Sequence, residues 1–208
     1  MQPQQIESES LAIIDAEAGP HIYSPRQWSV VRRMIHTTAD FDYLHDARFS
    51  PSAVAAGVAA IRTGAMLFTD TEMARAGIRT RALKRFGGRV ICHIAAPRIA
   101  QAARDGGITR ARAAVEAVAD QLTGAIYVVG NAPTALLRLI ELVRDGPIRP
   151  ALVVGLPVGF VNAAESKAAL LATAVPYITN VGRKGGSNVA ASVVNALVQL
   201  AEEEEGGR

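Results

Sequence analysis

The stretch AIYVVGNAPT, Ala125–Thr134, joins a short apolar run to a glycine and then to a proline-containing helix start. A run without polar alternation is typical of a strand that is buried on both faces of a sheet. Similar short runs occur at Ala65–Thr69, Arg89–Ile94, Ala151–Gly155 and Tyr177–Gly182. Helical patterns separate them, which favours a parallel sheet covered by helices on both faces. We therefore predict an α/β fold, a three-layer, doubly wound and mostly parallel sheet of five strands.

Two helical patterns precede this predicted sheet. One covers Ile6–Glu17, and the other begins at Ser24-Pro25 and runs to about Thr38. Serine is a good N-cap and proline fits the first helical position, so this pair marks a helix start. A length of 208 residues favours one domain. We place it at residues 1–201 and predict that residues 202–208 form an acidic, flexible tail.

The charge of the chain is unevenly distributed. The formal net charge is +3, but residues 1–201 carry 21 Lys and Arg against 15 Asp and Glu. A basic body favours anionic partners. Aromatic residues make up only 5% of the chain, too few for a platform that stacks nucleobases. A small anionic ligand is therefore a better prediction than nucleic acid.

Other classes of protein leave signatures that this sequence lacks. The single cysteine, Cys92, excludes a disulfide framework. No His/Cys cluster with metal-ligand spacing occurs, so we predict no bound metal. No segment approaches the ~18 uninterrupted apolar residues of a membrane span. The N-terminal residues lack the pattern of a signal peptide. We therefore expect a cytoplasmic protein that does not bind membranes.

The loops that follow the strands are where a functional site is expected, since ligands bind beyond the carboxyl ends of parallel strands. The most informative one is GRKGGS, Gly182–Ser187. Its glycines permit close backbone approach, and its basic side chains and the free N–H groups of the next helix could hold an anion. A well-capped turn with solvated charges explains the same residues, so both readings stay open.

His36 is the histidine that we single out as a candidate acid or base. It lies in the last turn of the second predicted helix, three residues after Arg33 and therefore on the same face. A helix C-terminus favours the imidazolium form, and a neighbouring arginine opposes it. That competition can leave a histidine able to exchange protons near neutral pH. A histidine that only caps the helix is the alternative.

Six segments, spread over most of the chain, include the candidate histidine and the glycine-rich loop described above. They are IHTTADFDY (35–43), TDTEMA (69–74), GITR (107–110), GNAPTAL (130–136), PVGFV with AAESK (157–161 and 163–167) and GRKGGSN (182–188). Together they resemble the precorrin-8X methylmutase family, and they stand in the family's order. The residues of the first and last segments are most similar to those of the cobalt-precorrin-8 members.

The resemblance implies an isomerase of cobalamin biosynthesis that moves a methyl group from ring carbon eleven to ring carbon twelve of precorrin-8 or cobalt-precorrin-8. The product is hydrogenobyrinate, or cobyrinate in the cobalt series. The resemblance also implies a flavodoxin-like sheet, no cofactor, and a homodimer with the ligand near the interface. His36 matches the family's essential histidine, and Ser10 and Arg33 match positions that contact the substrate.

The remaining candidate ligands come from the matching segments at the strand ends. A tetrapyrrole with several acetate and propionate groups requires cationic and N–H donors, which arginine supplies in a planar fork. The predicted substrate-binding residues are Ser10, Arg33, Thr69, Asp70, Arg110, Asn131, Lys167, Arg183, Lys184, Gly185, Gly186 and Ser187.

Two alternatives from other classes remain. A nucleotide- or flavin-binding enzyme on the same architecture would need a phosphate site after the first strand, where Asp70 and Glu72 would repel phosphate. A corrinoid carrier would share the pocket but would give His36 no role in proton transfer. Turnover distinguishes the carrier from the enzyme.

Overall fold

A computed structural model describes residues 2–206 as one mixed six-stranded sheet with helices on both faces. The strands are β1 Ala47–Phe49, β2 Met66–Thr69, β3 Arg89–Cys92, β4 Ile126–Val129, β5 Leu152–Gly155 and β6 Tyr177–Asn180. The helices are α1 Pro3–Ala18, α2 Pro25–Thr38, α3 Tyr43–Asp46, α4 Ala53–Arg62, α5 Glu72–Gly77, α6 Thr80–Arg85, α7 Pro97–Asp105, α8 Arg110–Glu116, α9 Pro133–Asp145, α10 Ala163–Leu171 and α11 Ser187–Gly206.

The strand order is β1-β6-β5-β4-β2-β3, and β2 to β6 are parallel to one another. These five strands lie within the predicted apolar runs, and the prediction of an α/β fold is confirmed. The sheet nevertheless has six strands rather than five, because β1 adds to β6 in the antiparallel direction. β1 has three residues and its Arg48 is exposed, so it lacks the apolar run that marks the buried strands.

Two apolar layers enclose the sheet. On one face α2, α4 and α11 pack against strand residues such as Val128 and Val154, and on the other α8, α9 and α10 pack against Tyr127 and Val153. Successive residues of β4 thus point into opposite layers, and all four are buried. This explains why the sequence of that strand shows no polar alternation.

The last helix continues through most of the predicted tail. α11 extends to Gly206, and Glu204 pairs with Arg26 of α2 and Arg62 of α4, while Glu202 pairs with Arg85 of α6. Residues 202–206, which the sequence assigns to a flexible tail, are thus helical in this structure, and arginines that are distant in sequence pair with their glutamates. Residues 207–208 lie outside the described range.

Candidate active site

Helix α2 places His36 at the end of the molecule where the parallel strands terminate. The helix starts as predicted: Ser24 Oγ accepts a hydrogen bond from Gln27 N at 3.3 Å, and Pro25 follows at the first helical position. Ile35 is buried, whereas the side chain of His36 is only partly buried. Ala39 ends the helix in the left-handed region, with φ 53°. The imidazole therefore lies in the last turn of a well-anchored helix.

Ser10 of α1 holds the imidazole ring. Its Oγ lies 3.0 Å from His36 Nδ1, within hydrogen-bond distance. When the hydroxyl donates this bond, the neutral ring carries its proton on Nε2; when Nδ1 is protonated, the hydroxyl can accept instead. Ser10 can thus support both protonation states while fixing the ring orientation. This is what a group that gives and takes a proton needs.

His36 lies in the wall of two adjoining clefts. The larger, about 500 Å³, is lined mainly by apolar side chains, including Ile6 and Ile13 of α1 and Phe41. The smaller, about 320 Å³, is lined mainly by polar side chains, including Arg33 and Asn195. The arrangement suits an amphipathic ligand with an apolar body and charged substituents, and it places the imidazole where the two parts of such a ligand would meet.

Arg33 lines the smaller cleft but already has protein partners. Its Nη1 donates to Glu7 Oε1 at 2.5 Å, and its Nη2 donates to Gln199 Oε1 at 2.9 Å. The hydrogen bond from Arg33 lowers the pKa of Glu7, so this carboxylate stays ionised. A ligand carboxylate that binds Arg33 would therefore take the place of Glu7, whose side chain is 47% exposed.

Asp70 organises the loop between β4 and α9. Its carboxylate accepts hydrogen bonds from the main-chain N–H groups of Gly130, Asn131 and Ala132 at 2.8, 2.8 and 2.7 Å. The side chain is buried, which raises its pKa, while the N–H groups oppose that rise. The N–H groups of the loop that leads into α9 are thus occupied by Asp70.

The loops after β2, β4 and β6 meet at this edge of the sheet. Thr71 Oγ1 and Ser187 Oγ lie 2.7 Å apart, and Thr69 Oγ1 donates to the Thr71 carbonyl at 3.0 Å. A Cβ on Gly130 would lie 2.6 Å from the Cα of Ser187, so only glycine allows this approach. The loops in which the sequence predicts a functional site therefore lie together at one edge of the sheet.

The loop Gly182–Ser187 is tied both to its neighbouring loop and to the region of His36. Gly185 has φ 158°, and a Cβ there would overlap the carbonyl oxygens of Leu156 and Pro157. Lys184 Nζ donates to Asp40 Oδ2 and Asp42 Oδ2 at 2.6 and 2.5 Å. This side chain links the glycine-rich loop to the residues that directly follow α2.

The sequence and the fold of this chain match those of known proteins over nearly their full length. Residues 5–200 match the family described as precorrin-8X methylmutase. A cobalt-precorrin-8 methylmutase of Salmonella typhimurium is 47% identical over 203 residues, covering 95% of each chain. A precorrin-8X methylmutase of Pseudomonas aeruginosa is 42% identical over 196 residues, covering 93% of this chain and 94% of the relative. The chain belongs to the precorrin-8X methylmutase family.

A solved structure supports the assignment at the level of the fold. The precorrin-8x methyl mutase of Thermus thermophilus superimposes with a TM-score of 0.90 at 48% identity, covering 97% of each chain. The resemblance seen in the sequence is thus confirmed, and with it membership of a family of isomerases in cobalamin biosynthesis.

Within this precorrin-8X methylmutase fold, the predicted site residues do not all face one cavity. Ser10, Arg33 and His36 border the paired clefts. Thr69, Asp70, Gly186 and Ser187 are buried where the loops converge, and Asn131 is exposed beside them. Arg183 is exposed and lies over the Phe160 ring, 5.5 Å from its centroid.

Two predicted ligands lie away from the clefts at His36. Arg110 is exposed at the start of α8 and lines a separate depression of about 290 Å³ with Arg104 and Ile108. Lys167 is only 1% exposed, and its Nζ donates to Asn180 Oδ1 and to the Lys184 carbonyl at 3.1 and 2.5 Å. The ammonium is thus buried and bound to protein atoms in this structure, and direct contact of Lys167 with a ligand stays a prediction.

Other contributors to the site were not predicted. Asp40 and Asp42 hold Lys184, and Arg79 and Asn195 line the smaller cleft with Arg33. Asp40 and Asp42 stand two residues apart just after the helix that carries His36. Two carboxylates so close together indicate a basic partner, which was not predicted from the sequence. Nothing in the sequence places Arg79 or Asn195 near α2.

Residues 2–206 lack two further kinds of feature. No helix in that range is long and apolar enough to cross a membrane. In the same range, no group of three or more His, Cys, Asp or Glu side chains is placed to hold a metal ion.

Replacement of Ser10 tests the contact that orients His36. We expect Ser10→Ala to reduce kcat by about fivefold, the effect of losing one neutral hydrogen bond of ~1 kcal/mol, while product affinity changes less. Steady-state kinetics and a product titration measure the two quantities. Ser8→Ala, on an exposed position of the same helix, is the matched control. Equal kcat for Ser10→Ala and Ser8→Ala would show that the hydroxyl does not position the ring.

Proposed function

We propose that this chain catalyses the migration of a methyl group from ring carbon eleven to ring carbon twelve of precorrin-8 or its cobalt-containing form. The observation that carries the proposal is His36, fixed by Ser10 at 3.0 Å and shared by the apolar and the polar cleft. Family membership supplies the reaction class, and the geometry supports a reaction centre at the imidazole. Hydrogenobyrinate, or cobyrinate when cobalt is present, is the product.

The chemistry requires a proton in the right place and a fixed substrate. A formal sigmatropic shift needs no nucleophile, but it proceeds only from the tautomer in which the bonding pattern allows the methyl group to move. A general acid such as the His36 imidazolium can protonate the macrocycle beside the migration site and so select that tautomer. Apolar walls that hold the ring flat keep the methyl group above its destination.

The charges near the site suit a polycarboxylate. Arg33 and Arg79 line the smaller cleft, and Arg183 is exposed on the glycine-rich loop. The planar guanidinium group can bind a carboxylate through two parallel hydrogen bonds. We propose that Arg33 and Arg183 bind ring carboxylates, with Lys184 as a point charge, and that Arg110 contacts a substituent that reaches the separate depression at α8.

Replacement of Arg33 tests the proposed carboxylate anchor. We expect Arg33→Ala to weaken product binding by about 10- to 100-fold, as for loss of a charge-assisted hydrogen bond, and Arg33→Lys to restore only part of it. A spectroscopic titration with hydrogenobyrinate measures the affinity. Arg32→Ala is the control, since Arg32 lies one residue earlier and pairs with Asp15. Wild-type affinity in Arg33→Ala would remove Arg33 from the binding site.

The sheet supports assignment to the flavodoxin-like class. Numbered from β2, its parallel strands follow the order 2-1-3-4-5 of that class, with β1 as an added antiparallel edge. A nucleotide-binding function on this architecture is disfavoured by Asp70. Its carboxylate occupies the N–H groups of Gly130, Asn131 and Ala132, which could otherwise receive a phosphate.

We also propose that the functional unit is a homodimer whose partner completes the larger cleft. Family resemblance is the main support. In addition, Ile6 and Ile13 on its α1 wall are 53% and 52% exposed, and a partner would cover them. Sedimentation at micromolar concentration should give twice the mass of the chain. A monomer under those conditions would contradict the dimer without affecting the proposed chemistry.

Turnover by the purified protein tests the proposed function. Precorrin-8 and cobalt-precorrin-8 are each added in large excess, and the visible spectrum is followed as the conjugation of the ring changes. We expect many equivalents of product per protein chain for at least one of the two substrates. A spectral change limited to one equivalent would favour the corrinoid carrier instead.

A further inference from the structure

Lys167 is the buried cation that the reaction chemistry leaves unexplained. It projects from α10 into the protein and is 1% exposed. Among residues 2–206 it has no salt-bridge partner, whereas the loop lysine, Lys184, has two aspartates. Burial lowers the pKa of Lys167 to about 8, and the charge of Asp46 partly opposes this. A buried ammonium without a salt bridge is costly, so its retention needs a reason in the contacts it makes.

Those contacts are with one loop. Lys167 Nζ donates to the Lys184 carbonyl at 2.5 Å and to Asn180 Oδ1 at 3.1 Å. Asn180 Nδ2 donates to the same Lys184 carbonyl at 3.0 Å and to the Val181 carbonyl at 2.9 Å. Two buried side chains thus converge on the main-chain carbonyls of Val181 and Lys184.

The fixed loop connects to the proposed site through its own side chains. Lys184 accepts the hydrogen bond from Lys167 through its main-chain carbonyl, and its side-chain ammonium binds Asp40 and Asp42. These two aspartates follow His36 by four and six residues. Gly186 N donates to the Leu156 carbonyl at 2.9 Å, which fixes the other end of the loop. The contacts form a continuous path from α10 to the end of α2.

We propose that Lys167 is a positioning residue, which acts through the Lys184 carbonyl to hold residues 181–186 in the conformation that binds the ligand and supports the end of α2. The catalytic part of this inference rests on the proposed function. The structural part, that the Lys167 ammonium determines the conformation of the loop, does not.

Amide hydrogen exchange tests the structural part without any substrate. Lys167→Met keeps the length of the side chain but removes its donors, and we expect the amides of Val181 and Gly186 to exchange about 10- to 100-fold faster, as for loss of hydrogen bonds from a charged group. Asn180→Leu removes the second set of donors and should loosen the same segment. Lys84→Met makes the same chemical change at an exposed lysine of α6 and should leave exchange unchanged.

A product titration and kinetics test the functional part on the same variants. We expect Lys167→Met to weaken hydrogenobyrinate binding by about tenfold or more. The effect should be non-additive with Lys184→Ala, because both act through one loop, and additive with Arg110→Ala. Wild-type exchange in residues 181–186 would overturn the proposal, and so would faster exchange with unchanged product affinity. Lack of turnover by the wild-type protein would instead overturn the proposed function, while the exchange result would still decide the role of Lys167 in the loop.

Discussion

His36→Asn should bind hydrogenobyrinate and lose rearrangement by about 10²- to 10⁴-fold, the usual contribution of a general acid or base. Asparagine can keep one hydrogen bond to Ser10, so the pocket and the helix end are preserved. It cannot give or take a proton, so the reactive tautomer of the macrocycle would no longer be selected. The large loss should therefore appear in kcat, with a small change in product affinity.

The control for this variant is His45→Asn, which makes the same chemical change at an exposed histidine of α3. Single-turnover absorbance measurements compare both variants with the wild-type protein at equal saturation. Turnover by His36→Asn at the wild-type rate would remove the imidazole from the mechanism. The site would then work by positioning alone.

Asp70→Asn should lower the free energy of unfolding by about 3 kcal/mol. In the wild-type protein main-chain N–H groups point at both carboxylate oxygens of Asp70, whereas the NH₂ group of asparagine would place a second donor against one of them. Asp70 Oδ2 accepts from Asn131 and Ala132, and Oδ1 accepts from Gly130. Asparagine has a single acceptor oxygen, so at least one buried donor loses its partner. The loop that approaches Ser187 would shift with it.

Denaturant unfolding of the purified variant measures this loss. Asp120→Asn, at an exposed aspartate, is the control and should change the free energy of unfolding by less than about 0.5 kcal/mol. If Asp70→Asn were as stable as the control, the three hydrogen bonds to Asp70 would not hold the loop.

The sequence predicts the sheet well because buried parallel strands have a distinctive composition. β4 and β5 are buried at every residue, and their Val and Ile content and bounding glycines mark them without ambiguity. Neither β1 nor α6 was predicted. β1 is a short edge strand. α6, Thr80–Arg85, has only six residues, and its two buried apolar residues, Ala82 and Leu83, are too few to show a helical period.

The candidate site is predicted less completely, because sequence gives residue types and order but not the direction of a side chain. His36 and Arg33 share a helix face, which the three-residue spacing already implies, and the structure places both in one cleft. Lys167 was selected because it is cationic, yet its side chain points inward and donates to one loop carbonyl and to the side chain of Asn180. The partners of Lys184, Asp40 and Asp42, lie 144 and 142 residues away, and only the tertiary fold brings them together.

The most direct test of the account follows the methyl group itself. Precorrin-8 carrying a ¹³C label in the methyl group on ring carbon eleven is mixed with a slight excess of the wild-type protein, and the carbon NMR spectrum is recorded over time. The account predicts that the labelled signal moves to that of a methyl group on ring carbon twelve, and that it does not move with His36→Asn although the ligand is bound. A bound ligand whose label stays on ring carbon eleven in the wild-type protein would contradict the account.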